Sequence, residues 1–166
     1  MAQKAKNGLK PELGITDKER ARVAKLLARD LADTFVLAAK TRKFHWNVTG
    51  DSFHELHLLF DQHYEQLEGS IDEIAEYIRQ IGFKSPGTLQ EYLELTQLKE
   101  HPGVNPSSKQ MIQELLNDHE TIIRQLRKDI EAAEDYNEAG AADFLTGLLE
   151  EHQKMAWFLR AYLEKD

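Results

Sequence analysis

Residues Lys43 to Gly82 read KFHWNVTGDSFHELHLLFDQHYEQLEGSIDEIAEYIRQIG, and the parsing of this stretch decides the fold. Phe60, Tyr64, Leu67, Ile71, Ile74, Ile78 and Ile81 recur at alternating gaps of four and three, the repeat of a helix packed in a bundle. Ser52 followed by Glu55 has the form of a capping box, and Gly82 suits the left-handed residue that ends a helix. The spacing therefore predicts one long helix from Phe53 to Ile81, apolar along one side.

Beside that apolar seam runs a stripe of metal-capable side chains. His57, Asp61, Glu65, Glu68, Asp72 and Glu76 follow one another at three- and four-residue steps. A solvated charged face has the same periodicity. Two features favour a ligand role: a histidine heads the stripe, and His45 precedes the Asn47–Gly50 turn where the preceding helix should end. Imidazole with carboxylate and no thiolate suits divalent iron, zinc or manganese. On a straight helix His57 and Asp72 stand roughly 22 Å apart, so no single ion reaches both. Either two separate sites exist, or a second copy crossing antiparallel supplies its Asp72 and Glu76 to His45 and His57.

The chain has 166 residues, 41% of them hydrophobic and 30% charged, which fits one helical domain with a real core. No apolar run approaches the roughly 18 residues of a membrane span. The opening MAQKAKNGLK lacks a hydrophobic stretch, so no signal peptide is expected. Absence of cysteine excludes disulfides and thiolate metal sites, and fits a cytoplasmic location.

Taken in order, residues 1–15 form a polar tail and residues 16–166 a helical domain. A first helix is expected from Thr16, capped with Glu19, burying Val23, Leu27, Leu31, Phe35 and Ala38 and ending near Trp46. A connection with Ser85-Pro86-Gly87 follows Gly82, holding a short helix from Leu89 to Leu95. A third long helix is expected from Asn105-Pro106, with Ile112, Leu115, His119, Ile122, Leu126 and Ile130 inward. After a break at Asn137–Gly140, a fourth should bury Leu145, Leu149, His152, Phe158 and Leu163. Four helices with one long second-to-third connection make an all-α four-helix bundle.

Among the remaining histidines, His119 and His152 read as core residues, and His54, His63 and His101 as surface residues. Trp46 reads as a cap over the apolar end of the first helix, and Trp157 as core or interface. No glutamate is followed by histidine three residues on, which counts against a di-iron centre inside the bundle.

The motifs HWNVTG, FHELHLLFD and DEIAE, with the C-terminal ADFLTGLLEEHQKMAWFLRAYL, resemble the Dps family, the mini-ferritins first described as DNA-binding proteins of starved cells. The likeness spans nearly the whole chain. It implies the ferritin-like form of the bundle and a hollow tetrahedral dodecamer. It implies two irons at each inter-subunit site, with His45 and His57 from one subunit and Asp72 and Glu76 from its mate. Asp61 matches the family acid that helps hold the second metal. Ferrous iron would be oxidised there, preferentially by hydrogen peroxide, and stored as ferric mineral, with zinc or manganese as substitutes. Trp46 would be an oxidisable ring beside the centre. The acidic run Glu131, Glu134, Asp135, Glu138 and Asp143, otherwise a solvated turn, would place Asp143 and Glu138 in a three-fold pore.

DNA binding is the competing reading. A net charge of −8 repels phosphate. Only Lys4, Lys6 and Lys10 of the tail form a basic device, facing Glu12, and twelve tails could act together in a nucleoid-compacting protein. A structural assembly held by zinc or manganese without oxidation is the third reading.

Overall fold

The computed structural model describes residues 11–164. Five helices appear in order: α1 Asp17–Asn47, α2 Phe53–Gln80, α3 Leu89–Leu95, α4 Ser108–Asp135 and α5 Ala139–Leu163. Among the described residues there is no strand. The pairs α1–α2 and α4–α5 are hairpins, α4 packs against α1, and the short α3 lies on α1.

Each helix start follows from local chemistry. Thr16 Oγ1 accepts from the Glu19 amide, and the Glu19 carboxylate accepts from the Thr16 amide at 2.8 Å, so two otherwise orphaned donors are satisfied. Those bonds hold the Glu19 carboxyl below its ordinary range. Thr88 with Glu91 repeats the device for α3, whose limits match the expected Leu89–Leu95. The third long helix starts at Ser108 rather than at Asn105-Pro106. Ser107 and the Gln110 side chain form a reciprocal cap there, satisfying two amides. The Ser52–Glu55 box expected for α2 does not form, because Ser52 makes no side-chain bond. Backbone turns serve instead, with the Phe53 amide donating to the Gly50 carbonyl at 3.0 Å.

The end of α2 is tied to the start of α1. Gly82 has φ +90°, and a Cβ on it would approach Pro11 Cγ to 2.7 Å. Arg20 Nη1 donates to the Ile81 carbonyl at 2.8 Å. The connection then runs back along α1, strapped at three points. Asp33 accepts from Thr96 Oγ1 at 2.6 Å and from the Gln97 amide at 2.8 Å. Lys40 Nζ donates to the Lys99 carbonyl at 2.7 Å, and Lys43 Nζ to the Val104 carbonyl at 2.6 Å. This path brings α4 in antiparallel to α1, as the Arg29–Asp129 and Lys40–Asp118 pairs record.

Leu27, Leu31, Leu67, Ile74, Leu115 and Leu126 fill the centre of the bundle. Each contributes about 1.5–3 kcal/mol relative to staying in water. Contacts of α2 with α5 fix an antiparallel register: His63 faces Phe158, Ser70 bonds Glu151 at 3.0 Å, and Tyr77 stacks on Phe144 at 4.9 Å.

Several expectations need correction. His63 is buried, only 4% exposed, while Tyr64 and Ile71 of the expected seam are half-buried. The inward line of α2 runs through Phe60, His63, Leu67, Ser70, Ile74 and Ile78, so two of its positions are polar. Phe158, expected inside, is 40% exposed, and Trp157 is 59% exposed and lies outside the core. His119 and His152 are core residues as expected, with Nδ1 atoms 2.9 Å apart. Residues 1–10 of the expected tail, with Lys4, Lys6 and Lys10, lie outside the described residues. No helix among the described residues is long and apolar enough to cross a membrane.

Candidate metal centre

The α1–α2 hairpin brings His45, from the last turn of α1, against His57, from the second turn of α2. Their rings stack with centroids 3.8 Å apart and planes 20° from parallel. Each ring bonds the other residue's backbone: His45 Nδ1 lies 2.8 Å from the His57 carbonyl, and His57 Nδ1 lies 2.9 Å from the His45 carbonyl. A carbonyl only accepts, so Nδ1 carries the hydrogen in both rings. That leaves each Nε2 with a free lone pair, the form in which a histidine ligates a metal. The reciprocal bonds also fix both rings in orientation.

Asp61 stands one turn further along α2, its Oδ1 3.6 Å from His45 Nε2. That gap is too long for a hydrogen bond, so neither group satisfies the other. Phe53 stacks on the outer side of His57 at 5.2 Å, and Tyr64 meets His45 edge-on at 5.4 Å. The Arg42 guanidinium lies 4.8 Å over the Tyr64 ring and pairs with Glu68. Sequence reasoning assigned Tyr64 wholly to the seam. It lies three residues after Asp61 along α2, beside the candidate ligands rather than in the core.

Asp72 and Glu76 are exposed on α2, and no hydrogen bond or ion pair within the described residues engages them. Fifteen residues of unbroken helix separate His57 from Asp72, roughly 22 Å of rise. Metal–ligand bonds are about 2 Å. Among the described residues of one copy, no three histidine, aspartate or glutamate side chains form a group that could hold a metal ion. The hairpin thus joins His45, His57 and Asp61, and does not join them to Asp72 and Glu76. Three large apolar side chains next to the joined half are exposed: Trp46, at 69%, Phe53 and Leu58. Trp46 therefore does not cap the apolar end of α1 as expected, since most of it stays open to solvent.

Glu138 and Asp143 sit where α4 passes into α5. Tyr77 of α2 lies near both, and burial first, then these acids, pushes its hydroxyl up to about 12. Asp143 is exposed.

The family model described as a ferritin-like domain matches residues 24–166. An uncharacterized low temperature-induced protein of Nostoc sp. is 45% identical over 153 residues, covering 92% of this chain and 86% of that protein. The DNA protection during starvation protein 2 of Bacillus anthracis is 36% identical over 143 residues, 86% of this chain and 97% of its own length. Among solved structures, the chain superposes with a TM-score of 0.87 on a Dps protein of Vibrio cholerae O1. That protein is described as a member of a broad superfamily of ferritin-like diiron-carboxylate proteins; it is 28% identical, with 95% of this chain and 99% of that one covered.

Proposed function

The chain belongs to the Dps family of ferritin-like proteins, and from that premise we propose that it is a ferroxidase completed between two copies of itself. Iron storage and DNA protection are the work of this family; the particular reaction and assembly are the present reading. The observation that carries it is the reciprocal pair at His45 and His57, whose carbonyl-bound Nδ1 atoms leave both Nε2 atoms available. Two imidazoles and a carboxylate make half of a ferrous site. Asp72 and Glu76, exposed and unengaged, make the other half when a two-fold-related copy of α2 crosses antiparallel. The exposed Trp46, Phe53 and Leu58 then become buried contact.

The donor set suits ferrous iron as substrate: the imidazoles bind the divalent ion, and the carboxylates hold the ferric product more tightly. Two ferrous ions give up one electron each to one hydrogen peroxide molecule. The O–O bond breaks, two protons are taken up, and two waters leave. Supplying both electrons at one place avoids the hydroxyl radical that a single ferrous ion would release. Trp46, next in sequence to His45 and open to solvent, is the ring that would take up a stray oxidising equivalent. The ferric product is stored in the cavity of a dodecamer, with Asp143 and Glu138 lining the path by which cations enter.

The deciding experiment replaces the far half of the site. Asp72→Ala with Glu76→Ala is expected to leave the assembly intact and slow peroxide-driven iron oxidation by at least about 100-fold. Loss of a residue that only orients a ligand already costs about 10–100-fold. Unchanged kinetics would remove the site. Zinc and manganese accept the same donors, so metal analysis after chelation separates a structural ion, on which assembly would depend, from an oxidised substrate. Contact with DNA would rest on the lysines of residues 1–10. A salt series of gel shifts with and without those residues tests it, and no shift at low salt removes it.

A further inference from the structure

Arg42 faces a line of α2 that carries two acids, and it pairs with only one of them. It lies on α1 three residues before His45, so it shares that ligand's side of the helix. Opposite, Asp61, Tyr64 and Glu68 follow one another at steps of three and four along α2. The Arg42 guanidinium lies 4.8 Å over the ring of Tyr64, the middle member, and pairs with the Glu68 carboxylate, further along α2 from the histidines. The edge of the same ring meets His45 at 5.4 Å, and His45 Nε2 is 3.6 Å from Asp61 Oδ1. No lysine or arginine among the described residues pairs with Asp61.

A guanidinium is a rigid fork of donors that grips a carboxylate through both oxygens. On Asp61 it would occupy the lone pairs that a metal needs and set a permanent positive charge beside a divalent cation. On Glu68 it does neither. The Arg42 and Glu68 side chains are 34% and 52% exposed, and a pair so open to water adds little to folding. Its effect lies in where it places the charge. We propose that Glu68 is a positioning residue: it holds Arg42 over Tyr64 and so keeps Asp61 free to bind the second ferrous ion. This rests on the ferroxidase reading above and adds to it a residue outside the ligand set assigned there.

The test is anaerobic ferrous titration of the assembled protein, followed by peroxide-driven oxidation kinetics, on the wild type, Glu68→Gln, Arg42→Gln and the double variant. Glu68→Gln keeps the size of the side chain and releases the guanidinium. It is expected to weaken the looser of the two ferrous sites by about 10-fold, raise the KM for ferrous iron to match, and leave kcat, Tm and particle size unchanged. Arg42→Gln alone is expected to stay within about two-fold of the wild type. Added to Glu68→Gln, it should restore the lost affinity, because the harm comes from the released arginine and not from the missing acid. A loss that persists in the double variant would overturn the inference, since Glu68 would then act on iron directly. So would wild-type affinities in Glu68→Gln, equal weakening of both sites, or a fall in Tm or particle size alongside the loss. Failure of the ferroxidase reading shows earlier: the wild type itself would then take up no ferrous iron at this site, and the inference would fall with it.

Discussion

His57 and His63 stand nearly two turns apart on α2, and each belongs to a histidine group in a different environment. His45 and His57 are half-buried, each with Nδ1 bonded to a backbone carbonyl and Nε2 left free. His63, His119 and His152 are buried where α2, α4 and α5 meet, and only His119 and His152 bond to one another, at 2.9 Å. His63 Nδ1 and His119 Nε2 have no hydrogen-bond partner. Burial lowers His63 and His152 to about 4 and His119 well below its ordinary value, with His152 and His63 adding repulsion at His119. No carboxylate contributes to those shifts. What separates the candidate ligands from the core histidines is the partner of the ring nitrogens and access to solvent.

The largest effect that would break this comparison comes from exchanging the groups as targets. His57→Ala is expected to cut peroxide-driven oxidation by at least about 100-fold with little change in Tm, because it removes a proposed ligand from a half-buried position. His119→Ala should do the reverse: a cavity in the core and an unpaired His152 destabilise by about 2–4 kcal/mol, while any chain that remains folded keeps its ferrous affinity. Kinetics and thermal unfolding on both variants check this. Equal loss of activity in both would mean that the core histidines take part in the chemistry.

A smaller effect concerns acid. His119 and His152 have folded-state values below those of the unfolded chain, so the unfolded state binds more protons between about pH 6.5 and 4. Stability from these groups is therefore complete above about pH 6.5 and lost as the pH falls toward 4. For His152 alone the loss is on the order of 3 kcal/mol at the acid end. His152→Leu should flatten the pH dependence of unfolding by about 1.4 kcal/mol per pH unit across that window. An unchanged slope would show that the buried ring takes up its proton without unfolding.

The smallest effect sharpens the outer side of the comparison. Phe53 stacks on His57 at 5.2 Å, and such a contact contributes about 0.5–1.5 kcal/mol. Phe53→Ala is expected to slow iron oxidation by roughly 2–10-fold, through a looser His57, and to leave the acid profile alone. A loss as large as that of His57→Ala would give Phe53 a greater part in the interface than stacking supplies.

Much of this was legible in the residues. The Thr16–Glu19 cap, the left-handed Gly82 and the short α3 follow from local spacing, because hydrogen bonds across three or four residues decide them. The Ser52–Glu55 cap fails although its pattern is correct, since the turn at Gly50 leaves Ser52 at φ −94°, ψ 25° instead of the extended backbone that a capping residue adopts. His63 was misplaced for a physical reason. It shares a line with Phe60, Leu67 and Ile74, but His63 and Ser70 interrupt that line with polar side chains, so hydrophobic spacing shifted the seam to Tyr64 and Ile71. Ser70 sits inside because it donates to Gln66 and Glu151, a partner 81 residues away.

By itself the amino-acid order determined the helices, the candidate ligand types and the distance that keeps His57 and Asp72 of one copy apart, since all three depend on rise per residue and side-chain chemistry. Only the packing of α1 on α2 decided which nitrogens of His45 and His57 stay free. Only the meeting of α2, α4 and α5 decided which histidines lose their water. Those outcomes depend on neighbours far apart in the chain, and no local pattern encodes them.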